Sequence, residues 1–275
     1  MGELLIGTSG YSYDDWVGPV YPPGTRKSEF LEHYSRRFRM TELNFTYYRL
    51  PTATGLRAIA AKTPPGFRFT VKAHQSLTHE RGPGWSHAAD RFAEAVTALT
   101  SIPAPPGSDS TAGQRHEDRL AGVLLQFPFG FHYEPENRQY LASLTDALKP
   151  LRVFVEFRNQ GWDQESVRRE MERRELGLVV PDLPRLDGLP RPGARLTAPW
   201  GYVRFHGRNA RNWWSGTNVT RYDYRYNTDE LNEWVAPVQA MVREAEAVIV
   251  TFNNHFAGQA VENAAQFAAM IGTAA

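Results

Sequence analysis

Residues Val153–Asp163 read VFVEFRNQGWD. Val153, Phe154 and Val155 form a continuous apolar run, as in a strand buried on both faces. Glu156 and Arg158 follow, two apart. Side chains two apart in a strand leave the same face. An acid and a base therefore emerge together from a strand that began apolar. Burying either ion alone costs several kcal/mol, so the pair is either an internal ion pair or part of a working pocket. Whether other strands repeat the pattern decides between the two.

They do repeat it. Short β-type runs recur along the chain with amphipathic segments between them. Working outward from the quoted stretch, the runs at 3–8, 41–44, 67–72, 120–127, the quoted 153–163, 176–182, 201–206 and 246–253 read as eight strands. Helical spacing separates most of them; residues 184–199 hold too many prolines for a regular helix. Eight strands with intervening helices in 275 residues predict an α/β fold, a (β/α)8 TIM barrel with an irregular sixth crossover. The chain is expected to be a single domain over 1–275. Residues 101–119, rich in Pro, Gly, Ser and Asp, are expected to be a flexible, dispensable insertion on the face away from the mouth.

The polar residues collect where such a barrel would hold its site. The second strand ends in Glu42 and Asn44, the third in Lys72 with His74 beyond it, and the fourth in Gln126. The fifth gives Glu156 and Arg158, the sixth Asp182, the seventh Arg204 and His206, the eighth Asn253. Carboxyl ends of barrel strands share one mouth, and catalytic groups sit there. Glu156, Lys72, His206 and His74 are the candidate acid–base residues. Glu42, Asn44, Gln126, Arg158, Arg204 and Asn253 are candidate substrate ligands, with Trp16 and Tyr47 from the aromatic loops of the same face. Three bases against two carboxylates leave a positive surplus that suits a phosphate or carboxylate. The loop at 207–227 is long for a strand-to-helix connection and is expected to act as a mobile lid.

Composition removes several classes of function. There is no cysteine, so disulfides, thiolate metal sites and cysteine nucleophiles are excluded. The net charge of +1 gives no global field for nucleic acid. Arg208, Arg211, Arg221 and Arg225, interleaved with aromatics, keep nucleic-acid binding as a second expectation. No GxGxxG, Walker or HExxH pattern is present, so neither cofactor nor metal is expected. The start lacks a signal-peptide pattern and no apolar run has membrane-spanning length. A cytoplasmic protein without a membrane partner is the expectation.

The stretches IGTSGYSYDDWVGPVYP, ELNFTYYRLP, FTVKAHQSLTH, LLQFP, VEFRNQGW, YVRFHGRN and FNNHFAGQAVENA, in this order, resemble the YecE-like family. That is a TIM-barrel family named as a domain of unknown function. The resemblance implies the barrel and supplies no reaction. One departure is Asn159, where histidine would be expected.

Overall fold

The computed structural model describes residues 2–103, 116–191 and 193–272. Eleven strands are present among them: β1 Glu3–Ser9, β2 Met40–Leu43, β3 Arg68–Lys72, β4 Ile102–Pro103, β5 His116–Glu117, β6 Leu120–Gln126, β7 Val153–Glu156, β8 Gly177–Leu178, β9 Val180–Asp182, β10 Trp200–Phe205 and β11 Ala247–Phe252. Nine form one parallel sheet in the order β8-β7-β6-β3-β2-β1-β11-β10-β9. The outermost two, β8 and β9, are consecutive in the chain with only Val179 between them. The Val179 N–H donates to the Val155 carbonyl at 2.9 Å. The sixth expected strand is thus a broken one: its first part pairs with β7 and its second with β10. That break makes nine segments of eight strand positions and closes the ring through the backbone itself.

The helices are α1 Phe30–Ser35, α2 Ala53–Ala60, α3 Trp85–Thr97, α4 Pro135–Ala147, α5 Glu165–Arg173, α6 Asn218–Arg221, α7 Thr228–Glu244 and α8 Gln259–Ile271. Local chemistry sets their ends. The Thr52 hydroxyl accepts from the Gly55 N–H at 3.1 Å and starts α2. Asn227 and Glu230 exchange side-chain-to-backbone bonds of 3.0 Å each, the box expected before α7. Gly272 ends α8 in a left-handed conformation, φ 80°. No helix occupies the described residues between β9 and β10, in keeping with their prolines.

Period-two alternation sorts each strand into an outer and an inner set. Val71, Val123, Val155, Val203, Phe205, Val250 and Phe252 face outward into the main apolar cluster under the helices. Leu5, Met40, Leu124, Phe154, Tyr202 and Ile249 form a separate cluster inside the ring. Fully burying a side chain of this kind is worth roughly 1.5–3 kcal/mol. Phe154 needs room for its ring there. A Cβ at Gly122 or at Gly177 would lie 2.5 Å from that ring, so both neighbouring strands leave the space empty. Two residues above this plug, towards the carboxyl ends, come Glu42, Gln126, Glu156, Arg204 and Thr251. The inner face therefore turns from apolar to polar in a single step.

The stretch at 101–119, expected to be flexible, is structured at its described edges. β4 and β5 pair antiparallel. Arg119 is 4% exposed, and its guanidinium donates to the Ala60 carbonyl at 3.1 Å and the Thr63 hydroxyl at 3.0 Å while meeting Glu117 at 2.9 Å. Arg119 ties the start of β6 to the end of α2. Residues 104–115 of that stretch lie outside the described residues.

Candidate active site at the barrel mouth

A cavity of about 640 Å³ opens at the carboxyl ends of the strands. Its floor includes Glu42, Lys72, Gln126, Arg158 and Arg204, with Asn44 and Asn253 beside them. Tyr11, Tyr13, Phe45, Tyr47, Tyr48, Phe129, Trp213, Trp214, Tyr222 and His255 wall it. Polar groups at the bottom and aromatic faces at the sides suit a ligand with a charged end and a flat or sugar-like body.

Arg204 is the centre of the floor and is 1% exposed. Its Nε donates to Glu42 Oε2 at 2.9 Å and its Nη2 to Glu42 Oε1 at 2.6 Å. Its Nη1 donates to Glu156, and Arg158 donates to the other oxygen of the same carboxylate. The Tyr202 hydroxyl donates to Glu42. Both carboxylates are fully buried and carry charged or hydroxyl partners on each oxygen that Arg204 engages. Burial alone would raise the Glu156 carboxyl; Arg158, Arg204 and His206 instead hold it well below the usual carboxylate range.

His206 lies under the floor, fully buried. Its Nε2 is 3.2 Å from Glu156 Oε1, and Asn253 Nδ2 is 3.1 Å from its Nδ1. The neutral tautomer with the proton on Nε2 satisfies both contacts. Burial first, then the Arg158 charge, pushes the imidazole pKa down to about 3. The ring is therefore a neutral spacer in the network.

Lys72 differs from the arginines. Its Nζ donates to the neutral Gln126 Oε1 at 2.9 Å and sits 4.7 Å from the centre of the Tyr47 ring. Part of the side chain faces the open cavity, yet the charge is poorly hydrated. Burial, followed by the nearby Arg204 charge, brings the amine down to about 8 from the ordinary lysine value. His79, also on the cavity, is lowered to about 4, by burial and then by Lys72.

The expected site residues thus divide. Glu42, Asn44, Lys72, Gln126, Arg158, Arg204, Asn253 and Tyr47 line one cavity. Glu156 and His206 are tied to that floor from beneath and do not line it, because their strands direct them into the ring of arginines. His74 is placed elsewhere. The chain turns after β3, and His74 Nδ1 meets Ser76 Oγ at 2.8 Å while His79 reaches the cavity. Trp16 is fully buried behind the wall, its Nε1 donating to the His255 carbonyl at 2.7 Å. It supports Tyr13, whose ring centre is 4.8 Å away and which stacks on His255 at 4.5 Å. Asp182 points out of the barrel, accepting from Arg208 at 2.7 Å, Tyr226 at 2.6 Å and Trp234 at 2.8 Å. Asn159 is a turn-former: it accepts from the Gly161 N–H at 2.8 Å and donates to the Phe129 carbonyl at 3.0 Å. Tyr202 is the residue that sequence reasoning missed. Its signal was parity, since it precedes Arg204 by two on the inner face. Among the described residues no cluster of three or more His, Asp or Glu could hold a metal ion, and no helix is long and apolar enough to cross a membrane.

Comparison with known proteins agrees with this architecture. The UPF0759 protein YunF of Bacillus subtilis (strain 168) is 30% identical over 276 residues, covering 96% of this chain and 93% of that protein. The crystal structure of a DUF72 family protein from Thermotoga maritima superposes with a TM-score of 0.86 at 36% identity, over 98% of this chain and 99% of that one. A DUF72 family protein from Enterococcus faecalis gives a TM-score of 0.81 at 26% identity, over 99% and 96% of the two chains. The DUF72 pattern, described as a protein of unknown function, matches residues 5–275, and the chain belongs to that family.

Proposed function

We propose that the barrel mouth binds a small, carbohydrate-like molecule bearing a phosphate or carboxylate and performs acid–base chemistry on it, with Lys72 as the proton-transfer group. One observation carries the reading. The cavity floor and the layer beneath it hold three cations, Lys72, Arg158 and Arg204, against two carboxylates, Glu42 and Glu156, and Arg204 engages both carboxylates. His206, neutral, adds nothing to the count. Arg158 is paired with Glu156, so the surplus positive charge lies at Lys72, under an aromatic wall. Electrostatic attraction at this partly buried floor is stronger than in water. An anion would complete the charge balance and the aromatic faces would pack on the body of the ligand. With an amine near 8, about a tenth of the molecules hold Lys72 uncharged at pH 7, enough to take up a proton and return it. Glu156 is not assigned that role, because two arginines and His206 already claim it.

The nucleic-acid reading finds no support. Arg208 is paired with Asp182 and Glu233, both within 2.8 Å, and Arg225 with Glu262, so half of the expected basic rim is neutralised.

The test is calorimetric titration with inorganic phosphate and with a sugar phosphate, in the wild type and in Lys72→Met. The wild type should bind, the sugar phosphate more tightly than phosphate, and the variant at least about tenfold more weakly, a loss of about 1.4 kcal/mol. No binding of either anion by the wild type overturns the reading.

A further inference from the structure

The chain holds four lysines, Lys27, Lys62, Lys72 and Lys149, against 27 arginines. Three of the four are surface residues with ordinary partners. Lys27 meets Asp14 at 2.8 Å, Lys149 meets Asp146 at 2.8 Å, and Lys62 donates to the Ser28 carbonyl at 3.2 Å. Lys72 alone stands on the cavity floor. A sequence that uses arginine for positive charge nearly everywhere places lysine at this point. For holding an anion, arginine is the better fork. The one property that lysine has and arginine lacks is an amine that can lose its proton and act as a nucleophile.

The surroundings of Nζ are consistent with that use. Among the described residues no carboxylate makes an ion pair with Lys72. Its hydrogen-bond partner is the neutral Gln126, whose own Nε2 is fixed by donating to the Phe127 carbonyl at 2.8 Å. The two nearest carboxylates, Glu42 and Glu156, are engaged by Arg204 and Arg158 and favour the ammonium only through space. The remaining neighbours of like charge, Arg204 and Arg158, disfavour a second cation beside them.

We propose that Lys72 forms a covalent imine with its substrate, which makes the substrate class an aldehyde or ketone that also carries a phosphate or carboxylate. The inference rests on the anion-site reading above and deepens it. The uncharged amine adds its lone pair to the carbonyl carbon, and the carbonyl π electrons move to oxygen. One proton passes from nitrogen to that oxygen and a second reaches it from solvent. The C–O bond breaks, water leaves, and a protonated imine remains. In sum the ammonium and the carbonyl compound give the iminium and one water, with charge conserved. The cation at Lys72 is therefore retained, and it can accept electrons from a bond broken at the adjacent carbon. This burial supports the step: the amine, lowered to about 8, offers its free form near neutral pH.

The experiment uses the full chain with pyridoxal 5′-phosphate as the anionic aldehyde and sodium cyanoborohydride as the trap, followed by peptide mass mapping. Lys72 should be labelled at least about tenfold faster than Lys27, Lys62 or Lys149 at pH 7.5, and inorganic phosphate should slow Lys72 alone. Lys62→Arg, at a surface lysine outside the site, should leave the labelling of Lys72 unchanged. Labelling of Lys72 no faster than the three surface lysines overturns the proposal. Phosphate titration of the unlabelled protein separates the two levels. Phosphate binding without selective labelling overturns the imine and leaves the anion site standing. Absence of phosphate binding removes the anion site on which the imine rests.

Discussion

Arg204 grips Glu42 through two nitrogens, at 2.9 Å and 2.6 Å, across 162 residues of sequence, and gives its third nitrogen to Glu156. One guanidinium thereby holds a carboxylate of β2 and a carboxylate of β7 from its place on β10. Three strands that are not neighbours in the sheet are joined through the middle of the barrel.

Arg204→Met would leave Glu42 and Glu156 buried with too few partners. Breaking a buried pair by removing one side typically costs about 3–5 kcal/mol. A urea denaturation series should show a loss of that order, and a loss below about 1 kcal/mol would contradict the central role given to Arg204. For the same reason this residue is a poor probe of ligand binding, and Lys72 is the better one.

The depressed Lys72 amine predicts a stability effect of definite sign. The folded state binds the Lys72 proton less tightly than the unfolded state, so the group is destabilising at pH 7. The penalty is relieved as pH rises from about 8 towards the ordinary lysine value. Lys72→Met should therefore be more stable than the wild type at pH 7, by on the order of 3 kcal/mol at most. The gap should narrow between about pH 8 and pH 10.5. Denaturation midpoints at pH 7 and pH 10 check this; a gap that widens with pH would refute it.

Acid should act through His206 before it reaches the carboxylates. The unfolded imidazole takes a proton below about 6.5, whereas the folded one resists until about 3. Stability is then lost as pH falls through that window. His79, lowered to about 4, adds to the same trend. His206→Asn should reduce the slope of stability between pH 6 and pH 5 by about one proton, roughly 1.4 kcal/mol per pH unit. An unchanged slope would mean that His206 is already charged in the fold.

The loop at 207–227, expected to be a mobile lid, is anchored at both ends. The Gly207 N–H donates to the Tyr226 hydroxyl at 2.8 Å, and Tyr226 donates to Asp182 at 2.6 Å. Trp213 is 3% exposed, and Trp214, 52% exposed, leans on Phe129 at 4.8 Å. Hydrogen exchange should find the Gly207 amide about as protected as β11 and the amides near Trp214 much faster. Tyr226→Phe should lower protection at Gly207 by at least about tenfold. Fast exchange along the whole loop, Gly207 included, would point to a mobile lid.

Much of this was legible from local pattern. The alternation in FRFTVK and GYVRFH and the apolar start of VFVEF determined which residues could share a face, because side-chain direction in a strand has a period of two. That placed Glu42, Lys72, Gln126, Arg158 and Arg204 together before any contact was known. The box at Asn227 and Glu230 and the stop at Gly272 were readable for the same reason: they involve only neighbours in sequence.

What the chain alone could not decide was depth and direction at the ends of the strands. Glu156 and Arg158 share a face, yet Glu156 lies beneath the floor and Arg158 lines the cavity, two residues further along the chain. His74 and His79 both follow β3, and only the path of the turn after Lys72 puts His79 in the cavity. Trp16 and Asp182 look like site residues by position, but packing sends one behind the wall and the other out to Arg208 and Trp234. The sequence by itself determined the strand parity and hence the polar ring. Only the tertiary structure decided which of its members meet one another and which meet the cavity, because those choices depend on partners far away in sequence, from 26 residues for Asp182 and Arg208 to 239 for Trp16 and His255.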